Sequence, residues 1–142
     1  MNLVVGVAGD NSPFDSPQAS VPISPYPQIG PIVHQDWSGL VTSASPPHAN
    51  EVLHFYMIDL GAVNPEVQPG VAAPSVEPLS RLATPMVCTS WTVLYAGLAP
   101  GDTWRVYQVD LQLGPQTGQL TNVCSLDGGK TWFAMPFFTV AP

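Results

Sequence analysis

Between residues 85 and 142, apolar side chains recur at every second position, the period of a strand that buries one face. Across 86–98, Val87, Thr89, Trp91, Val93 and Tyr95 share one parity. Across 103–113, Trp104, Val106, Gln108 and Asp110 alternate with Arg105, Tyr107, Val109 and Leu111. β-Branched and aromatic residues dominate both runs, as strands favour. Ala99-Pro100-Gly101-Asp102 and Gly114-Pro115-Gln116-Thr117-Gly118 predict turns after them. Residues 120–124 and 131–140 predict two further strands flanking a Gly-rich hairpin. Residues 52–60, Val-Leu-His-Phe-Tyr-Met-Ile-Asp-Leu, are almost continuously apolar and predict a strand buried on both faces. With no heptad and no internal repeat, the expectation is an all-β fold, an antiparallel β-sandwich or barrel.

Proline divides the chain. Residues 10–50 carry Pro13, Pro17, Pro22, Pro25, Pro27, Pro31, Pro46 and Pro47 among Ser, Gln and single apolar residues. Proline removes a backbone donor, fixes φ and pushes the preceding residue towards extended geometry. Residues 1–50 are therefore expected to form an extended Pro-rich N-terminal arm with short β pieces at 31–34 and 39–43, and residues 51–142 a β-domain. An arm with no core of its own exposes its apolar side chains, so Phe14, Ile23, Tyr26, Ile29 and Trp37 are the expected anchors on a partner surface. Residues 61–85, with Pro65, Pro69, Pro74, Pro78 and Pro85, predict a long loop, functional or partner-bound, with room for one helical turn at 76–82. Trp91, Trp104, Trp132, Phe133, Phe137 and Phe138 sit at strand spacing and are expected in the core.

Composition narrows what such a chain does. Charged residues are 9% of the sequence, against roughly 25% in ordinary soluble domains. Hydrophobic residues reach 45%, which excludes a disordered chain and implies a neutral or partner-covered surface. The net charge is −7, and Arg81, Arg105 and Lys130 are the only fixed cations. Phosphate binding displaces counterions with clustered cations, so neither nucleic acid nor an anionic membrane is an expected partner. No run reaches the roughly 18–20 apolar residues of a membrane-spanning helix. Residues 1–9 lack the basic start of a secretory signal and read as a first strand, so use without export by that route is expected. Cys88 and Cys124 are too few for a disulfide scaffold. They are expected as buried free thiols, with a single bridge as the alternative if their strands are neighbours.

The most specific motif is Ser125-Leu126-Asp127-Gly128-Gly129-Lys130-Thr131-Trp132. It resembles the Asp-box, Ser-x-Asp-x-Gly-x-Thr-Trp, of sialidase-type propellers and other β-proteins. The resemblance implies a folding hairpin built by Ser125, Asp127, Gly129, Thr131 and Trp132, remote from catalysis. Asp127 accepts hydrogen bonds across the turn, and the glycines permit positive φ. A sialidase also needs three arginines around its substrate, and this chain has two. His34, Asp36, His48 and His54 are the available metal ligands, at spacings that match no common motif, so no metal and no cofactor is expected. Scattered acids, no Gly-x-Ser-x-Gly elbow and no cysteine beside a cation leave no catalytic residues to name, so the chain is not expected to be an enzyme.

A Pro-rich arm, few charges and a β-domain together resemble the capsid cement and decoration proteins of tailed phages. The resemblance implies a viral structural protein on the outer capsid surface of the virion, assembled in the host cytoplasm. Its partners would be the major capsid protein and copies of itself, as a trimer, held by non-covalent clamping of neighbouring subunits. The alternative is a carbohydrate-binding β-sandwich, an adhesin or receptor-binding module, in which exposed aromatics on the body stack on sugars.

Overall fold

A computed structural model describes Asn2–Val5, Ala19–Pro22 and residues 27–142. The described residues contain strands and no helix, and the paired strands run antiparallel. In chain order the strands are β1 (Asn2–Val5), β2 (Ala19–Pro22), β3 (Gln28–Val33), β4 (Val52–Ile58), β5 (Val63–Asn64), β6 (Arg81–Leu82) and β7 (Val87–Cys88). They continue as β8 (Thr92–Leu98), β9 (Tyr107–Gln112), β10 (Gly118–Leu120), β11 (Val123–Ser125), β12 (Phe133–Ala134) and β13 (Phe138–Val140). The main sheet has six strands in the order β3-β4-β9-β8-β6-β5; β12-β11-β7, β10-β13 and β1-β2 form smaller sheets.

Side-chain alternation decides the layers. On β4, Leu53, Phe55 and Met57 turn inward opposite Leu111, Val109 and Tyr107 of β9, and all six are buried. The smaller sheets supply Cys124, Phe133 and Val140 to the same core, and Met135, just after β12, joins them. Trp91 lies where the chain passes from β7 in one sheet to β8 in another. Its ring packs between Phe55, at 6.1 Å between centroids, and Phe138, at 5.4 Å. At the far edge, Gly97 admits the backbone of Ser80 and Arg81 so closely that any Cβ would collide with it.

Residues 28–50 belong to the body and not to an arm. β3 pairs with β4 from Gln28↔Ile58 to Val33↔His54, and Ile29 and Ile32 pack against the core. Val41 N–H donates to Ile32 O (2.8 Å), Ala49 N–H to Ala141 O (3.1 Å) and Asn50 N–H to Gly114 O (2.9 Å). The boundary expected at residue 50 therefore falls inside one domain. Proline is compatible with this because β3 is an edge strand, and Pro31 occupies the irregularity between Ile29 and Ile32, where the ladder already breaks.

Residues 61–85 likewise fold onto their own domain. Their β5 and β6 form an edge of the main sheet, Val67 and Ala73 are buried, and Arg105 Nη1 donates to Val67 O at 2.9 Å. The helical turn expected at 76–82 is replaced by bends that lead into β6. The cysteines are not free: Cys88 and Cys124 stand directly opposite on β7 and β11 and form a disulfide. Their apolar settings reflected a shared core position, which the spacing of 36 residues did not disclose.

Candidate functional site

Because Leu53, Phe55 and Met57 face the core, His54 and Tyr56 must face out. Across the sheet Asp110 stands opposite His54, and Gln108 opposite Tyr56. His54 Nδ1 lies 2.7 Å from Asp110 Oδ1, which also accepts from Gln108 Nε2 at 2.9 Å. His54 Nε2 lies 3.2 Å from Gln35 O. The Tyr56 hydroxyl is held above its ordinary pKa, first by burial and then by the negative charge of Asp110, so it stays a neutral donor.

Trp37 roofs this row. Its indole lies on the His54 ring at 3.9 Å between centroids and 6° between planes, with Tyr56 tilted beside it at 6.5 Å. It is 55% exposed, so one indole face rests on His54 and the other is open. The turn that holds it is closed by Trp37 N–H to His34 O (2.9 Å), His34 N–H to Gly39 O (3.0 Å) and Ser38 N–H to Asp36 Oδ1 (3.0 Å). Trp37 has φ of 61°, a region that bulky side chains rarely enter.

A second cluster adjoins the first through Gln35. His34 Nδ1 lies 2.7 Å from Glu51 Oε1, and His34 Nε2 lies 3.1 Å from Ser45 Oγ. Acid, imidazole and hydroxyl thus follow in the order of a hydrolytic triad. Two features make the arrangement a clasp instead. Nε2 is also 3.1 Å from the Ser45 carbonyl oxygen, which calls for an N–H there and not for the lone pair of a base. The Ser45 N–H is spent on Thr42 O and Thr42 Oγ1, and so is not free to stabilise an oxyanion. A fluorophosphonate probe should leave Ser45 unlabelled in intact-mass spectra; stoichiometric labelling would contradict the clasp. Burial opposes the charge of Glu51, but donation from His48 N–H, His34 and Gln35 N–H outweighs it and holds the carboxyl below its ordinary range. Its contribution to stability is present at neutral pH and is lost as pH falls through that depressed value.

The Asp-box residues form a hairpin between β11 and β12. Asp127 accepts from the Thr131 hydroxyl (2.6 Å), the Thr131 and Lys130 N–H groups (both 2.9 Å) and the Ser125 hydroxyl (2.8 Å). These donors, led by Thr131, hold its carboxyl far below the ordinary range. Gly129 N–H donates to Ser125 Oγ, and Trp132 Nε1 to Gly129 O.

The expected anchors separate. Phe14, Ile23 and Tyr26 lie outside the described residues, Ile29 packs on the core through β3, and Trp37 covers the outer sheet face. Three aromatics expected inside are outside: Trp104 is 86% exposed, Phe137 65% and Trp132 43%. Trp104 leaves the strand because Asp102 Oδ2 takes the N–H groups of Trp104 and Val106, winding 103–106 into a turn with Arg105 at positive φ. Phe137 rims an apolar groove of about 520 Å³ lined by Ile32, Val41, Pro46, Pro136 and Phe138. The outer-face row of His54, Tyr56, Gln108 and Asp110 was not singled out from sequence. Its signal was parity: polar residues alternating with the buried ones of β4 and β9.

Among the described residues no three His, Cys, Asp or Glu side chains converge to hold a metal ion, and no helix is long and apolar enough to cross a membrane. No protein-family model, curated protein or solved structure matches this chain.

Proposed function

We propose that this protein is a non-enzymatic structural protein that fastens neighbouring protein subunits, as viral capsid cement and decoration proteins do. The observation that carries the proposal is the open apolar groove rimmed by Phe137 on a chain with 9% charged residues. An apolar groove of this size left in water is unfavourable, and burying aromatic surface in it supplies association energy without cations. The gripping surface is assigned to the body, since residues 28–33 pair within the domain's own sheet and the segment to residue 50 is hydrogen-bonded to that body. The occupants are a second copy of this chain and the major capsid protein on which both sit.

The disulfide fits an exterior position. Disulfides persist in oxidising surroundings, so on this reading the bond closes after the particle leaves the host cytoplasm. The acidic net charge suits the outer face, away from packaged nucleic acid.

Sedimentation of the full chain tests the proposal. The wild-type chain should self-associate, with a trimer as the closed form. Phe137→Asp should raise the dissociation constant by about tenfold or more while leaving the melting curve of the body intact. A wild-type chain that sediments as a monomer throughout the accessible concentration range would refute the fastening role.

A further inference from the structure

We propose that the open face of Trp37, with the neighbouring pair Tyr56 and Gln108, is a binding site for a neutral pyranose sugar. The inference is independent of the fastening role, because different residues line the groove.

The first support is presentation. An exposed tryptophan on a loop usually folds down or varies its rotamer, whereas this one is fixed from below. The His54 ring lies parallel beneath it at 3.9 Å, and His54 is itself fixed by Asp110 and Gln35. The turn from His34 to Gly39 holds the backbone at a φ that is unfavourable for a bulky residue. Strained backbone conformations of this kind are retained where the surroundings determine them and concentrate at functional sites. A pre-ordered aromatic plane binds with little further loss of side-chain freedom.

The second support is chemistry. The π face of an indole is electron-rich, and the axial C–H face of a pyranose is its complement in shape and polarity. A sugar so stacked directs its hydroxyls sideways, towards the groups that border the plane. Tyr56, beside the indole, offers a hydroxyl kept protonated, and Gln108 stands opposite Tyr56 on β9 with a neutral carboxamide. Gln108 donates through Nε2 to Asp110, which aims the carboxamide along the sheet.

The third support is charge, which selects among sugars. Asp110 bonds the His54 ring beneath the indole and Asp36 precedes Trp37 in the chain, while Arg81, the cation of the outer face, is paired with Glu77 at 2.6 Å and lies over Tyr95. A sialic or uronic acid would meet carboxylates with no free cation beside it. Neutral hexopyranosides with one unobstructed C–H face, such as β-galactosides and β-glucosides, fit.

The test is a glycan array probed with the labelled full chain, followed by titration of the best-bound neutral glycan. Wild type should bind neutral pyranosides. Trp37→Ala should weaken binding at least tenfold, Tyr56→Phe should weaken it severalfold with the ring still in place, and Trp104→Ala should bind as wild type. An array with no bound neutral glycan, binding restricted to acidic glycans, or equal binding by Trp37→Ala and Tyr56→Phe would each overturn the assignment.

Discussion

Reducing the Cys88–Cys124 bond, or replacing both cysteines with serine, should lower the free energy of unfolding by about 4 kcal/mol. The bond joins positions 36 residues apart, and the chain entropy released when a loop of that length opens in the unfolded state sets the magnitude. Local structure adds to the effect. β7 has two residues and β11 three, so their register has few hydrogen bonds besides the cross-link to maintain it. Urea denaturation of the oxidised protein, and of the reduced and alkylated protein, gives the difference directly. A loss below about 1 kcal/mol would mean that the three-stranded sheet holds without its staple.

Phe55→Ala should be comparably severe, about 3–5 kcal/mol by chemical denaturation. Phe55 is fully buried on the central part of β4, faces Val109 across the sheet, pairs with Ile32 of β3, and packs against the Trp91 ring where the chain passes from β7 to β8. Truncation there opens a cavity between layers that the surrounding strands cannot collapse to fill. Trp104→Ala serves as the contrast. Its ring is almost wholly in solvent, and its loss should change stability by no more than about 0.5 kcal/mol. Similar losses at the two positions would mean that the layers do not share a core as described.

Period-two alternation was sufficient to identify β9 and, with the turns, the all-β class, because a strand between a core and a solvent face records both in its sequence; β4 was marked instead by its nearly continuous apolar run, which hid that His54 and Tyr56 turn to the outer face. The Asp-box was legible for a related reason: its hydrogen bonds run between residues no more than four apart, so local sequence contains the whole device. What was not legible depended on distant partners. Eight prolines between residues 10 and 50 argue against a central strand, but they do not tell an unpaired arm from an edge strand that places Pro31 at a bulge. The single parity of 86–98 concealed a change of sheet at Trp91 and an irregularity between Val93 and Tyr95 that shifts the alternation. Trp104 matched a strand pattern that Asp102 overrides by capturing two backbone donors. The Trp37 platform was the least legible, since an exposed aromatic gains its meaning from His54, seventeen positions away, lying parallel beneath it.

The apolar groove is the physical basis for reading the chain as a fastener, and hydrogen exchange of the full chain across a concentration series tests it most directly. Amides in 41–45 and 137–139 should gain protection as concentration rises, with the Trp37 turn unchanged. Exchange that is independent of concentration at the groove, or protection that builds elsewhere on the body, would contradict the account.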